Sequence, residues 1–272
     1  MQTSNQGKVV GVNGNMISVA FDNYVTQNEV AYVKLGDMRL KCEVIRVRGQ
    51  RADMQIFEDA RGLKVGDTVE FTGELLSVEL GPGLLSMVYD GLQNPLNELA
   101  EKCGFFLRRG VYLPGLKRDT QWAYTPVAKV GDRMRAGDTI GTVPEGIFTH
   151  RIMVPFSWPG DWTVTSVSQA GSFTVDHGVA KLRNEAGEER QATMVQTWPV
   201  KRPISCFKEK VLAHETLVTQ CRTIDSFFPV AKGGTFCTPG PFGAGKTVLQ
   251  HALSQHSQAD VVVVAACGER AG

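Results

Sequence analysis

Gly240-Pro-Phe-Gly-Ala-Gly-Lys-Thr247 has the form G-x-x-x-x-G-K-T, the phosphate-binding loop. A triphosphate packs several negative charges into a small volume. Only backbone N–H groups with no side chain over them can crowd around it. Gly240, Gly243 and Gly245 can take backbone angles closed to other residues and leave no Cβ above the ligand. Consecutive N–H groups then turn inward as an anion nest. A helix entered at about Lys246 points its positive end at the same place. Lys246 would reach the β- and γ-phosphates, and the hydroxyl of Thr247 would ligate Mg²⁺. Pro241, Phe242, Ala244 and Val248 complete a nucleotide-binding stretch over 240–248.

The neighbouring sequence supplies the setting this loop requires. Gly234-Thr-Phe-Cys-Thr-Pro239 reads as a short strand leading in. Val248-Leu-Gln-His-Ala-Leu-Ser-Gln-His256 reads as a helix with Val248, Leu249, Ala252 and Leu253 on one face. Asp260-Val-Val-Val-Val-Ala-Ala-Cys267 is a continuous apolar run suited to a parallel strand buried on both faces. Strand, loop, helix, strand is a βαβ unit. The second strand leads into Gly268-Glu-Arg270. A carboxylate at the carboxyl end of such a strand would lie near the γ-phosphate and could polarise a water. A solvated Glu269–Arg270 pair at a strand end is an equal reading of the residues alone.

Ile224-Asp-Ser-Phe-Phe-Pro-Val-Ala-Lys-Gly-Gly234, the 240–247 loop with its internal Pro-Phe-Gly, and Gly268-Glu-Arg270 together resemble the catalytic A subunit of V-type rotary ATPases. The resemblance implies that Lys246 and Thr247 bind phosphate and Mg²⁺, that Glu269 orients water, and that Arg270 belongs to the same catalytic network. Where the family usually has Thr-Gly-Gln-Arg, this chain has Thr219-Gln-Cys-Arg222, which puts the local turn in question. The implied substrates are ATP, ADP and phosphate. The implied partners are non-catalytic B subunits in an alternating hexameric ring and the central and peripheral stalk subunits. Hydrolysis or synthesis would be coupled to proton or sodium movement. The protein would be cytoplasmic, at the face of a membrane reached only through the assembled complex.

The rest of the chain fits a mixed β and α/β architecture. Residues 1–71 hold short strands, Lys8–Val12, Met16–Phe21, Glu29–Val33 and Cys42–Val47, and a turn and strand over Leu63–Phe71, with an Asn13-Gly14 hairpin signal, and read as a small β-barrel. Residues 72–104 hold a helical turn over Leu84–Gly91 and a short helix over Leu96–Lys102. By resemblance they are the first segment of the nucleotide-binding domain. Residues 105–200 continue in strands and Gly-Asp turns, resemble a lipoyl-like β domain, and contain Trp122, Trp158, Trp162 and Trp198. His150-Arg-Ile-Met-Val-Pro155 lacks the lysine of a lipoyl or biotinyl carrier. An insertion of this kind is a feature of the V-type A subunit. Residues 201–272 return to the P-loop α/β domain, with a helix over Leu217–Phe228, stopped by Pro229, on which Arg222 and Asp225 could pair.

Charge and composition exclude some classes. A net charge of +1 gives no polyanion-binding signal, so no nucleic-acid partner is expected. No apolar run is long enough to span a bilayer. The six cysteines show no C-x-x-C spacing and read as free thiols, with Cys237 and Cys267 on buried strands. His150, His177, His214, His251 and His256 show no ligand or triad spacing.

The family continues beyond this chain, with a strand ending in a metal-holding aspartate, a wall against adenine and a helical domain. The 272 residues are therefore expected to be an N-terminal portion with little ATP turnover of its own. Two other readings stay open. One is a binding or assembly module. The other is a different hexameric P-loop motor, such as an export ATPase or transcription terminator, against which the 105–200 insertion and Pro241-Phe242 argue.

Overall fold

The computed structural model describes residues 5–104, 106–207 and 209–268. The chain divides into two compact units, Met1–Phe207 and Lys208–Gly272.

The first unit begins with six strands: β1 (Gln6–Asn13), β2 (Met16–Phe21), β3 (Glu29–Leu35), β4 (Met38–Arg48), β5 (Arg51–Ile56) and β6 (Thr68–Leu75). They close into an antiparallel barrel in the order β1-β2-β5-β4-β3-β6. Closure leaves no sheet edge open. Alternate residues point inward, and Val19, Val33, Leu40, Val44, Ala52 and Met54 are fully buried. Each large side chain buried in this way contributes about 1.5–3 kcal/mol. Burial also pushes the Cys42 thiol up to about 12. The hairpin expected at Asn13-Gly14 forms with Gly14 at a φ of +59°. β5 was not among the expected strands, because Arg51, Asp53 and Gln55 dilute a run whose inward residues are Ala52, Met54 and Ile56.

Two buried carboxylates mark the barrel. Glu29 accepts hydrogen bonds from the Thr26 amide at 2.9 Å and the Gly73 amide at 2.6 Å. Glu43 is paired with Lys201 at 2.8 Å.

Beyond the barrel come β7 (Ser77–Leu80), α1 (Leu96–Cys103), β8 (Trp122–Pro126), β9 (Arg133–Met134), β10 (Thr139–Glu145) and β11 (Phe148–Met153). They are followed by β12 (Trp162–Val167), β13 (Gly171–Phe173), β14 (Gly178–Asn184), β15 (Glu189–Thr193) and β16 (Gln196–Pro199). Two four-stranded sheets, β11-β10-β8-β13 and β15-β14-β12-β9, share one core. Tyr124, Ile140, Ile152, Trp162 and Leu182 fill it. Trp158 and Trp162 lie 4.7 Å apart by ring centroid, with the Arg190 guanidinium 5.4 Å from the Trp162 ring. β7 pairs with β16, so the two strands flanking this domain in sequence are tied together.

Leu84–Gly91 forms turns rather than the expected helical turn, with Ser86 at a φ of +60°. The preceding turn is held by Glu145, whose carboxylate accepts the amides of Gly83 at 2.6 Å and Leu85 at 3.2 Å. The second oxygen of Glu145 meets Nδ1 of His150 at 2.7 Å. Glu145 did not stand out by spacing, since the amides it accepts lie about sixty residues earlier in the chain.

The second unit contains β17 (Thr216–Leu217), α2 (Arg222–Phe227), β18 (Val230–Ala231) and α3 (Lys246–His256), with β17 paired to β18. The expected helix from Leu217 starts only at Arg222, because Thr216 and Leu217 are taken into that ladder. The Arg222–Asp225 pair does not form. Asp225 turns back instead, accepting from the Thr219 hydroxyl at 2.7 Å and the Thr219 amide at 3.0 Å.

The strands expected at Gly234–Pro239 and Asp260–Cys267 are absent. A strand exists only in a ladder, and no described residue pairs with either run. For the same reason Cys237 and Cys267, expected to be buried, are exposed.

Candidate functional site

The loop at 240–247 is shaped by two glycines in left-handed conformation, Gly243 at a φ of +76° and Gly245 at +78°. An L-residue is strained at either position. Gly245 is the N-cap of α3, and the first helical bond runs from the Leu249 amide to the Gly245 carbonyl at 2.9 Å. The helix therefore begins at Lys246, where the motif places it. Its leading amides face the loop, and no acidic residue occupies its first turn. That leaves the positive helix end free for an anion.

The Lys246 side chain folds over its own loop. Its ammonium donates to the Gly240 carbonyl and, at 3.3 Å, to the Pro241 carbonyl. Gly240 sits close against the loop, where a Cβ would stand 3.1 Å from the Ala244 methyl and 3.5 Å from Cγ of Lys246. Phe242, Thr247 and Val248 are exposed. The Thr247 hydroxyl makes no hydrogen bond among the described residues, so its lone pairs face an open space. Pro241, Phe242, Gly243, Ala244, Gly245, Lys246, Thr247 and Val248 line a concavity of about 660 Å³. A hydroxyl and an ammonium beside free amides are a donor set that suits a phosphate chain with a hard divalent cation.

Gly268 lines the same concavity. This brings the end of the Val261–Cys267 run to the loop, although that run forms no ladder. Glu269 and Arg270, next in the chain, lie outside the described residues. No signal in the sequence announced that Lys246 would bond the carbonyls of Gly240 and Pro241. That contact follows from a cation lying within reach of two carbonyls on a tight turn.

The expected amphipathic face of α3 is only partly realised. Leu249, Ala252 and Leu253 are half-buried, whereas Val248 is exposed. Upstream, Gln220 takes a φ of +62°, so the turn at Thr219–Arg222 needs a left-handed residue at its second position. The related family usually has glycine there.

A six-stranded barrel, a two-sheet β domain and a glycine-shaped loop capping a helix define a P-loop nucleotide-binding architecture. Three family models match in the same order along the chain. The beta-barrel domain of the ATP synthase alpha/beta family matches residues 9–73. The alpha/beta subunit barrel-sandwich domain matches residues 113–201, and the nucleotide-binding domain matches residues 220–272. The chain belongs to the ATP synthase alpha/beta family. It is similar to the V-type ATP synthase alpha chain of Treponema denticola, at 60% identity over 99% of this chain and 46% of the relative. It is similar also to V-type ATP synthase alpha chain 1 of Treponema pallidum, at 58% over 99% of this chain and 46% of that relative. The alpha chain of Borrelia recurrentis is 54% identical over 98% of this chain and, again, 46% of the relative. The chain thus spans about half the length of the curated relatives it matches. Among the described residues, no helix is long and apolar enough to cross a membrane.

Proposed function

We propose that this chain belongs to the catalytic subunit of a V-type rotary ATPase or ATP synthase, binding Mg-ATP at residues 240–248. The observation that carries the reading is the 240–247 loop, with Gly245 capping α3 and Lys246 facing the concavity. Lys246 would leave the Gly240 and Pro241 carbonyls for the β- and γ-phosphates. The exchange replaces neutral carbonyl acceptors with anionic phosphate oxygens, which add the attraction of opposite charges to the hydrogen bond. The free Thr247 hydroxyl would hold Mg²⁺, which would supply positive charge against the phosphates. Gly268 at the concavity favours a water-orienting role for Glu269, with Arg270 in the same network.

The same reading gives the chain a place in a ring with non-catalytic B subunits, joined to central and peripheral stalks. That ring would sit at the cytoplasmic face of a membrane and couple ATP hydrolysis or synthesis to proton or sodium movement. It divides the chain into a barrel over 1–71, a first nucleotide-domain segment over 72–104, an inserted β domain over 105–200 and the P-loop domain over 201–272. The closed barrel of β1 to β6, which runs on to Leu75, and the two-sheet core support a barrel followed by a separate β domain.

The test is calorimetry of ATP binding to the full-length subunit in its complex, at fixed Mg²⁺. Lys246→Ala should abolish binding at this site, because the loop loses its one cation. Retained affinity would reject the assignment.

A further inference from the structure

The loop at 240–247 hangs between two arms, the incoming residues 234–239 and the outgoing helix α3. The separation of the arms sets the width of the loop. In a βαβ unit a sheet fixes the incoming arm. Here residues 234–239 stand in no ladder among the described residues, so side chains have to hold it. Two contacts join the arms like rungs. In the first, the Lys246 ammonium donates to the Gly240 carbonyl, and the Lys246 stem lies 3.5 Å from where a Cβ of Gly240 would stand. In the second, one turn further along α3, Nε2 of Gln250 donates to Oγ1 of Thr238 at 3.2 Å. Among the described residues it is the one hydrogen bond between 235–239 and α3.

The spacing of the rungs follows from the two backbones. Lys246 and Gln250 are four residues apart on α3 and share a face, about 6 Å apart along the axis. On an extended chain, residues two apart are separated by about 6.6 Å, which matches 240 and 238 to 246 and 250. The sequence prepares the second rung. A residue before a proline is pressed toward extended backbone, and Thr238 precedes Pro239. Thr238 is also β-branched, so its side chain has few rotamers. The acceptor is therefore held in place before Gln250 reaches it, and little freedom is lost when the bond forms. Thr238 is half-buried and Gln250 exposed, and neither lines the concavity of the loop.

We infer that Gln250 is a positioning residue for Mg-ATP: through Thr238 it keeps the arms of the loop together when Lys246 moves to the phosphates. The inference rests on the nucleotide reading of the loop. Both rungs are closed in the structure. Nucleotide binding opens the first, because the ammonium exchanges the Gly240 carbonyl for phosphate oxygens. The second does not touch the ligand and stays closed. It is then what keeps the amides of the loop gathered around the phosphates. Without it, part of the binding energy goes into closing the loop, so affinity falls while the chemical step is untouched.

The experiment uses the full-length subunit in its complex. It reads Mg-ATP binding by calorimetry, hydrolysis by phosphate release and folding by thermal melts. Thr238→Val keeps the shape of the side chain and removes the acceptor. Gln250→Met keeps the length and removes the donor. Each should weaken Mg-ATP binding about two- to ten-fold, the usual worth of one hydrogen bond. KM should rise by a similar factor, with kcat and the melting temperature near those of the parent. The double variant should bind no more weakly than either single one, because the two substitutions remove the same bond. Thr238→Ser, which retains the hydroxyl, should bind as the parent does. Parent-like affinity in both Thr238→Val and Gln250→Met would overturn the inference, provided that Lys246→Ala still abolishes binding. So would additive losses in the double variant, or losses of affinity that only follow a lower melting temperature. Retained affinity in Lys246→Ala would instead reject the nucleotide reading of the loop, and this inference with it.

Discussion

Val19 and Val33 in the barrel expose none of their surface, whereas Val263 and Val264 expose 88% and 74%. The four residues are chemically identical, and the run at 261–264 is the more apolar of the two settings. What separates them is partnership. Val33 stands opposite Leu40 on β4 and Val69 on β6, inside a closed ring of ladders. Val263 stands in no ladder among the described residues. Hydrophobic and β-branched side chains favour a strand, but only paired backbone groups make one. The first unit is therefore organised for stability and the second, in its described residues, around an exposed loop. The same contrast predicts where a substitution is felt as stability and where as chemistry.

The largest expected effect lies on the loop side and leaves stability alone. In the full-length enzyme, Glu269→Gln should lower turnover by about 10²–10⁴-fold, the usual worth of a water-activating group. ATP binding and the melting temperature should stay near those of the parent. Hydrolysis within a few-fold of the parent would make Glu269 a solvated strand-end residue.

On the barrel side the effect is thermodynamic. Leu40 is fully buried on β4. Leu40→Ala should lower the unfolding free energy of the first unit by about 2–5 kcal/mol, read by denaturant titration. A smaller loss would mean that the barrel collapses around the deletion and is less tightly packed than its burial implies.

The valine comparison can be tried directly. Val264→Asp should change the stability of this chain by less than about 0.5 kcal/mol, as surface substitutions do. A charge placed at a buried position would cost several kcal/mol. A large loss on Val264→Asp, measured by the same titration, would show that the run is packed in solution.

These contrasts also explain what could be read in advance. The barrel was legible because its strands are rich in β-branched and aromatic residues and its hairpin carries Asn13-Gly14. β5 escaped because polar residues occupy each outward position. The left-handed bends of the loop and the start of α3 near Lys246 were legible, because Gly243 and Gly245 each have a local backbone task. The runs at 234–239 and 260–267 were misjudged as strands, because strand formation depends on a partner that composition does not reveal. The Asp225 contact was misjudged for a related reason. Helical spacing offered Arg222, but the actual partners, the amide and hydroxyl of Thr219, precede the helix. Gln220 is the instructive departure from the family's glycine. Its φ of +62° shows that the turn is enforced by its surroundings, at a local cost of about 1–2 kcal/mol for an L-residue.

Asp225 is part of what enforces it, and this gives the smallest and most local prediction. The Thr219 hydroxyl, followed by the Thr219 amide, hold the Asp225 carboxyl below its ordinary range. A carboxyl depressed in the folded state stabilises that state once pH exceeds its unfolded value, about 3.9. The contribution is lost as pH falls through the lower folded value. Amide exchange at Thr219 and Cys221 should therefore stay slow from neutral pH down to about 4 and quicken below it, after correction for intrinsic rates. The Cys221 amide is included because it donates to the Thr219 hydroxyl oxygen at 3.2 Å. Asp225→Asn should bring the faster exchange to neutral pH at these two amides, while the barrel amides stay unchanged. A turn whose protection ignored both pH and the substitution would owe its left-handed residue to something other than Asp225.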